Sequence, residues 1–112
     1  MENIQRIYIS GPVTGVAGYM EHFDQAEKKI TAAGYEAVNP AKTIAQLPKT
    51  LTWEECMQLS FAMLDICDSI YLMEGWKDSK GAALELKHAM EKGKAIVCGD
   101  RYCRMHTEES AE

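Results

Sequence analysis

"SIYLMEGWKDSKGAALE", residues 69–85, decides how the chain folds. Residues 69–73 form an apolar, strand-like run that gives way to a turn at Gly75, and residues 80–92 then read as a helix that Gly93 stops. A short apolar run bounded by a turn is the mark of a buried strand. A strand passing directly into a helix is half of a parallel crossover unit.

The same alternation continues in both directions. "IQRIYIS", residues 4–10, reads as a buried first strand ended by Gly11 and Pro12. Tyr19, Phe23, Ala26, Ile30 and Ala33 recur every three or four residues, which predicts a helix over 19–33 with Gly34 as its stop. "YEAV", residues 35–38, is a short second strand closed by Asn39 and Pro40, because a residue before proline avoids helical backbone. A loop over 39–51 follows. Thr52-Trp53-Glu54-Glu55 fits a capping box, and Trp53, Met57, Phe61 and Leu64 mark the buried face expected for the next helix. "KAIVCG", residues 94–99, is a fourth strand.

This order predicts an α/β fold: a small three-layer sandwich around a parallel sheet of four to five strands, with right-handed crossovers. In such sheets ligands sit beyond the carboxyl ends of the strands, at the point where strand order reverses. That rule selects residues 10–18, 39–51, 74–81 and 99 onward.

The chain has 112 residues, which suits one domain over 1–100 followed by a polar tail over 101–112. Twelve basic residues against 17 acidic ones leave a net charge of −5, without the positive excess that binding polymeric nucleic acid requires. Cys56, Cys67, Cys98 and Cys103 match neither a CxxC redox pair nor paired zinc knuckles, and Cys98, Cys103 and His106 lack a second ligand pair. No metal and no cofactor is expected. No apolar run reaches the roughly 18 residues of a membrane span, and "MENIQRIYIS" is not a leader, so the expected setting is cytoplasmic.

Two of the selected loops carry chemistry. "YISGPVTG" places Tyr8 near the end of the first strand and Gly11 and Gly15 where backbone can approach a ligand. Ser79 and Gly81 open the third long helix, where free N–H groups and the helix dipole receive an anion, although a serine there is equally a cap. Glu85 lies in the opening turns of that helix, where a carboxylate is favoured electrostatically in any protein. Its functional reading is a nucleophile or electrostatic stabiliser for a sugar carbon.

"IYISGPVTG", "GYEAVNPA" and "CDSIYLMEGWKDSKGAALE" resemble the phage and bacterial proteins grouped as DUF4406. They are more distantly similar to nucleoside 2-deoxyribosyltransferases and 2′-deoxynucleoside 5′-monophosphate N-glycosidases. The resemblance covers residues 4–98 and implies a flavodoxin-like or Rossmann-like fold, assembled as homodimers or higher homo-oligomers. It implies Glu85 as the residue attacking the anomeric carbon, Tyr8 as the phenol holding it, and Ser79 as a phosphate contact. Asn39 opens the loop whose geometry selects the base, and Trp76 is placed either to stack on a base or to serve as a lid or interface residue. The chain departs from those enzymes at Ser60, which stands where they carry an aspartate for the leaving base, and at Thr14, which replaces a phosphate-binding arginine. The implied partner is a small nucleoside or nucleotide. The implied function is N-glycosidic cleavage or deoxyribosyl transfer, with a nucleotide-binding protein without turnover as the alternative. An interaction module built around its dimer surface is a third reading.

Overall fold

The computed structural model describes residues 4–99; the expected tail over 101–112, with Cys103 and His106, lies outside them. Four parallel strands, β1 (Arg6–Ser10), β2 (Glu36–Val38), β3 (Ser69–Leu72) and β4 (Ala95–Cys98), form a sheet in the order β2-β1-β3-β4. Helices α1 (Tyr19–Ala32), α2 (Pro40–Ile44), α3 (Trp53–Asp65) and α4 (Lys80–Glu91) complete the three layers. The sheet is the parallel α/β arrangement expected, with four strands among the described residues.

Strand alternation sorts β1 onto two faces. Ile7 and Ile9 pack with Phe23, Ala26 and Ile30 of α1 and Ala41 of α2. Tyr8 meets Leu64 of α3, Ala89 of α4 and the β3 residues Ile70 and Leu72 on the other face. The spacing 23, 26, 30 is one helical stripe, and burying a side chain such as Phe23 contributes about 1.5–3 kcal/mol.

From β1 the chain steps sideways to β2, then returns past β1 to β3. Strand order therefore reverses between β1 and β3, and a crevice opens above their carboxyl ends. Two loops meet there: the ring of Pro12 lies 3.4 Å from where a Cβ on Gly75 would stand, and Gly75 has a φ of +89° that favours glycine.

Two expectations are corrected. The 39–51 segment is not all loop, because Pro40–Ile44 is helical: Asn39 caps it by accepting from the Lys42 N–H, and Pro40 occupies the first helical position, where its fixed φ is already correct. The buried stripe of α3 is Met57, Ser60 and Leu64, not the expected Trp53, Met57, Phe61 and Leu64. Trp53 is exposed and Phe61 is half-buried, its ring stacked on His88 at 4.6 Å. The helix is turned so that a serine faces inward, which an apolar pattern cannot show. The capping box at Thr52 and Glu55 forms as expected, with both reciprocal hydrogen bonds in place.

Candidate active site

Helix α4 begins at Ser79, whose hydroxyl accepts from the Ala82 N–H at 3.1 Å. Its buried stripe is Ala82, Glu85 and Ala89, so the helical period that packs two alanines against the sheet also carries a carboxylate inward. That carboxylate meets the end of β1. Tyr8 Oη donates to Glu85 Oε2 at 2.8 Å, and Ser10 Oγ donates to Oε1 at 2.6 Å. Residues 8 and 10 share a strand face, so one strand clamps both oxygens. Tyr8 and Ser10 are fully buried and Glu85 is 7% exposed. The Ser60 hydroxyl, on the inward stripe of α3, reaches the same pair and favours the charged form of each.

Burial drives the electrostatics. Desolvation pushes the Glu85 carboxyl above the ordinary glutamate range, opposed by the hydroxyls of Ser10, Tyr8 and Ser60. Burial, and then the charge of Glu85, lift the Tyr8 phenol well above the usual tyrosine value, so Tyr8 stays a proton-bearing donor. The two ion pairs among the described residues, Arg6–Glu36 and His88–Asp65, leave Glu85 out. Its described partners are neutral hydroxyls.

Above Glu85 lies a cleft of about 1110 Å³, walled by Gly11–Thr14 after β1, by α2 and the segment to Leu51, by Trp53, Met57 and Ser60 of α3, and by Asp78–Ala82. It is the carboxyl-edge crevice that the topology requires, and its volume suits a ligand of nucleotide size.

Of the residues singled out from sequence, Tyr8 and Glu85 meet directly, while Gly11, Ser79 and Gly81 line the cleft. At Gly81 an added Cβ would stand 3.5 Å from Met57 Sδ, an ordinary contact, so space alone does not demand glycine there. Gly11 differs. A Cβ on it would collide with the terminal methyl of Met73 and come within 3.0 Å of that residue's Cβ. Gly11→Ala is expected to lower stability by about 1–3 kcal/mol as Met73 is forced from its core position, read as a lower denaturation midpoint. Met73→Ala in the same chain should recover part of that loss, since neighbouring substitutions are not additive.

Three other expected site residues lie apart from the described walls of the cleft. Gly15 takes φ +77° in open space, where it serves the turn. Asn39 directs Oδ1 to the α2 cap and Nδ2 to Glu27 Oε1 at 3.0 Å, which ties α2 to α1. Trp76, in a single 3-10 turn (Trp76–Asp78), packs against the cluster around Tyr8 and Leu64, while Asp78 at the end of the same turn reaches the cleft. The tryptophan at the cleft is Trp53, with Lys80 Nζ 5.1 Å from its ring centre.

Sequence reasoning missed Ser10 and Trp53 as site residues, and it singled out Ser60 only as a departure from the related enzymes, not as a hydroxyl that reaches Glu85 and Tyr8. The signal for Ser10 was strand alternation with Tyr8, and the signal for Trp53 was its place in the first turn after a carboxyl-edge loop. Asp65 and Asp68 lie away from the site: Asp65 pairs with His88 at the far ends of α3 and α4, and Asp68 accepts from the Arg6 N–H at the start of β1. Cys67 is buried, its thiol pushed up to about 11 by desolvation, which leaves it unreactive. Among the described residues no group of three or more His, Cys, Asp or Glu is placed to hold a metal, and no helix is long and apolar enough to cross a membrane.

Residues 5–98 match the family model described as "Domain of unknown function (DUF4406)". The chain belongs to the DUF4406 family. Among curated proteins no match is found. Among solved structures, this DUF4406 chain is similar to the 2-desoxiribosyltransferase from Leishmania mexicana, with a TM-score of 0.64 at 19% identity over 84% of the present chain. It spans 63% of that chain. A likeness at this identity shows only the fold that the two share, a parallel α/β sandwich.

Proposed function

We propose that this DUF4406 protein cleaves or exchanges an N-glycosidic bond of a small nucleoside or nucleotide, with Glu85 as nucleophile. One observation carries the reading: a buried carboxylate, clamped on both oxygens by Tyr8 and Ser10, lines the crevice at the switch point of the sheet. A carboxylate held by neutral hydroxyls, without a cationic partner among the described residues, is suited to a centre that becomes positive only during reaction. The anomeric carbon of a sugar losing its base is such a centre.

In the first step a Glu85 oxygen bonds to the anomeric carbon as the bond to the base breaks, leaving a glycosyl ester. In the second, water or a second base attacks that carbon and frees the carboxylate. Tyr8 and Ser10 hold the carboxylate while the hydrocarbon walls of the cleft limit water. The name of the structural relative supports the deoxyribosyl case. Ser60 favours the second reading, a nucleotide-binding protein without turnover, because a serine does not supply a proton to a leaving base near neutral pH.

The test is a covalent one. After incubation with a panel of nucleosides and nucleotides and an acid quench, the peptide bearing Glu85 should gain the mass of a glycosyl group, with free base appearing in solution. Ligand-induced thermal stabilisation without adduct or base would favour the second reading.

A further inference from the structure

Breaking an N-glycosidic bond moves an electron pair onto the base nitrogen. A neutral base leaves as an anion unless a proton arrives, so enzymes acting on such substrates place a proton donor opposite the nucleophile. The cleft supplies no buried acid for this: of the other proton-bearing groups on its walls, Tyr19 and Cys56 are only half-buried, and Tyr19 lies on α1 with its ring edge-on to Phe23. Among its described lining residues there is no histidine, and the second carboxyl group, Asp78, is exposed on the rim, whereas keeping a carboxylic acid protonated near neutrality takes burial. Lys49 and Lys80 are exposed as well and line the outer wall. The buried polar side chains beside Glu85 are the hydroxyls of Tyr8, Ser10 and Ser60. All three are directed to the carboxylate. Tyr8 in particular holds its proton more firmly than a free phenol.

The second observation is the missing countercharge. Glu85 is buried with no lysine, arginine or histidine paired to it among the described residues, and a buried charge is costly unless it is paired. A ligand carrying positive charge completes that pair. The α3 wall beside it offers the soft sulfur of Met57 and the indole of Trp53, over whose ring the Lys80 ammonium already rests at 5.1 Å. Aromatic faces attract cations.

Building on the glycosyl reading above, we infer that the substrate is an N-glycoside whose base is already cationic: a pyridinium or N-alkylated purine nucleotide. The balance then closes without a proton donor. The Glu85 carboxylate bonds to the anomeric carbon, the carbon–nitrogen bond breaks, and its electron pair neutralises the ring nitrogen. The base departs uncharged. Water then attacks the same carbon, the ester oxygen leaves as the Glu85 carboxylate, and the proton of that water passes to solvent.

The experiment measures free base from nicotinamide mononucleotide and from the matched pair N7-methylguanosine 5′-monophosphate and guanosine 5′-monophosphate, which differ by one methyl group. 2′-Deoxyguanosine 5′-monophosphate is added as a neutral deoxy substrate, and all rates are corrected for release without protein. The cationic members should react about 10²- to 10⁴-fold faster than the neutral ones, the contribution a general acid makes where it is needed. Both rates should vanish in Glu85→Gln. With nicotinamide mononucleotide the rate should rise as Glu85 loses its proton and then hold level, without the falling alkaline limb that a required acid imposes. Ser60→Asp should raise the ratio of neutral to cationic turnover, because a carboxyl group held beside the Glu85 carboxylate keeps a proton that it can donate to the leaving base. Glu85-dependent release from the neutral substrates at rates equal to or above the cationic ones would overturn the inference and leave the glycosyl reading standing. No release from any substrate would overturn both.

Discussion

Glu85→Gln should remove turnover and make the protein more stable. The amide keeps the shape of the carboxylate and can still hydrogen-bond Tyr8 and Ser10, but it is a far poorer nucleophile, so base release should fall by on the order of 10⁴-fold or more. The stability change follows from burial. Desolvation raises the carboxyl pKa in the folded state, so the native protein binds that proton more tightly than the unfolded chain does. Stability from this group is fully present below the ordinary glutamate range and is lost as pH rises through the folded value. Glutamine carries no such dependence. The melting temperatures of the two proteins should therefore agree in acid and separate as pH approaches neutrality, with the variant higher, by roughly 4–8 °C for each kcal/mol gained. Equal melting temperatures at every pH would mean that the carboxylate is solvated and the clamp does not hold it in the way described.

Tyr8→Phe and Ser10→Ala should each slow turnover near neutral pH and recover it in alkali. Both hydroxyls donate to Glu85 and favour its charged form, against the desolvation that opposes it. With either donor gone the carboxyl holds its proton to higher pH and less of the protein carries a free nucleophile. A hydrogen bond to a charged group is worth about 1.5–3 kcal/mol, which sets an expected loss of roughly 10- to 100-fold. The pH profile separates this from simple damage: the rising limb should move to higher pH in both variants while the plateau rate is largely regained. A variant slowed by the same factor at every pH would show that the lost hydroxyl shaped the cleft and did not act through Glu85. Ser10→Ala is the sharper case, because Ser10 makes the shorter bond, 2.6 Å against 2.8 Å for Tyr8.

The parallel α/β fold gives these residues a plain logic. The switch between β1 and β3 leaves a crevice, the end of β1 projects two hydroxyls on one face, and the first turns of α4 bring a carboxylate down onto them. None of the three elements is unusual alone.

Much of this was legible in the chain itself. Apolar runs at 4–10 and 69–73, the three-to-four-residue spacing from Tyr19 to Ala33, and glycines at 34 and 93 were enough to require alternating strands and helices, hence a parallel sheet and a site at its carboxyl edge. Local composition carries such information because periodicity and turn chemistry are satisfied by neighbours in sequence. The contents of the site were not local. Ser10 and Tyr8 reach Glu85 across separations of 75 and 77 residues, and Ser60, on the inward stripe of α3, reaches the same carboxylate. A polar side chain on a helix reads as solvent-facing until the fold supplies its partner. The same gap in reading placed Trp76 at the ligand and Trp53 in the core, whereas the packing of α3 and α4 against the sheet reverses the two. Sequence by itself determined the layers and the edge where chemistry belongs; tertiary packing decided which side chains face each other there, because a hydrogen bond depends on distance in space and not along the chain.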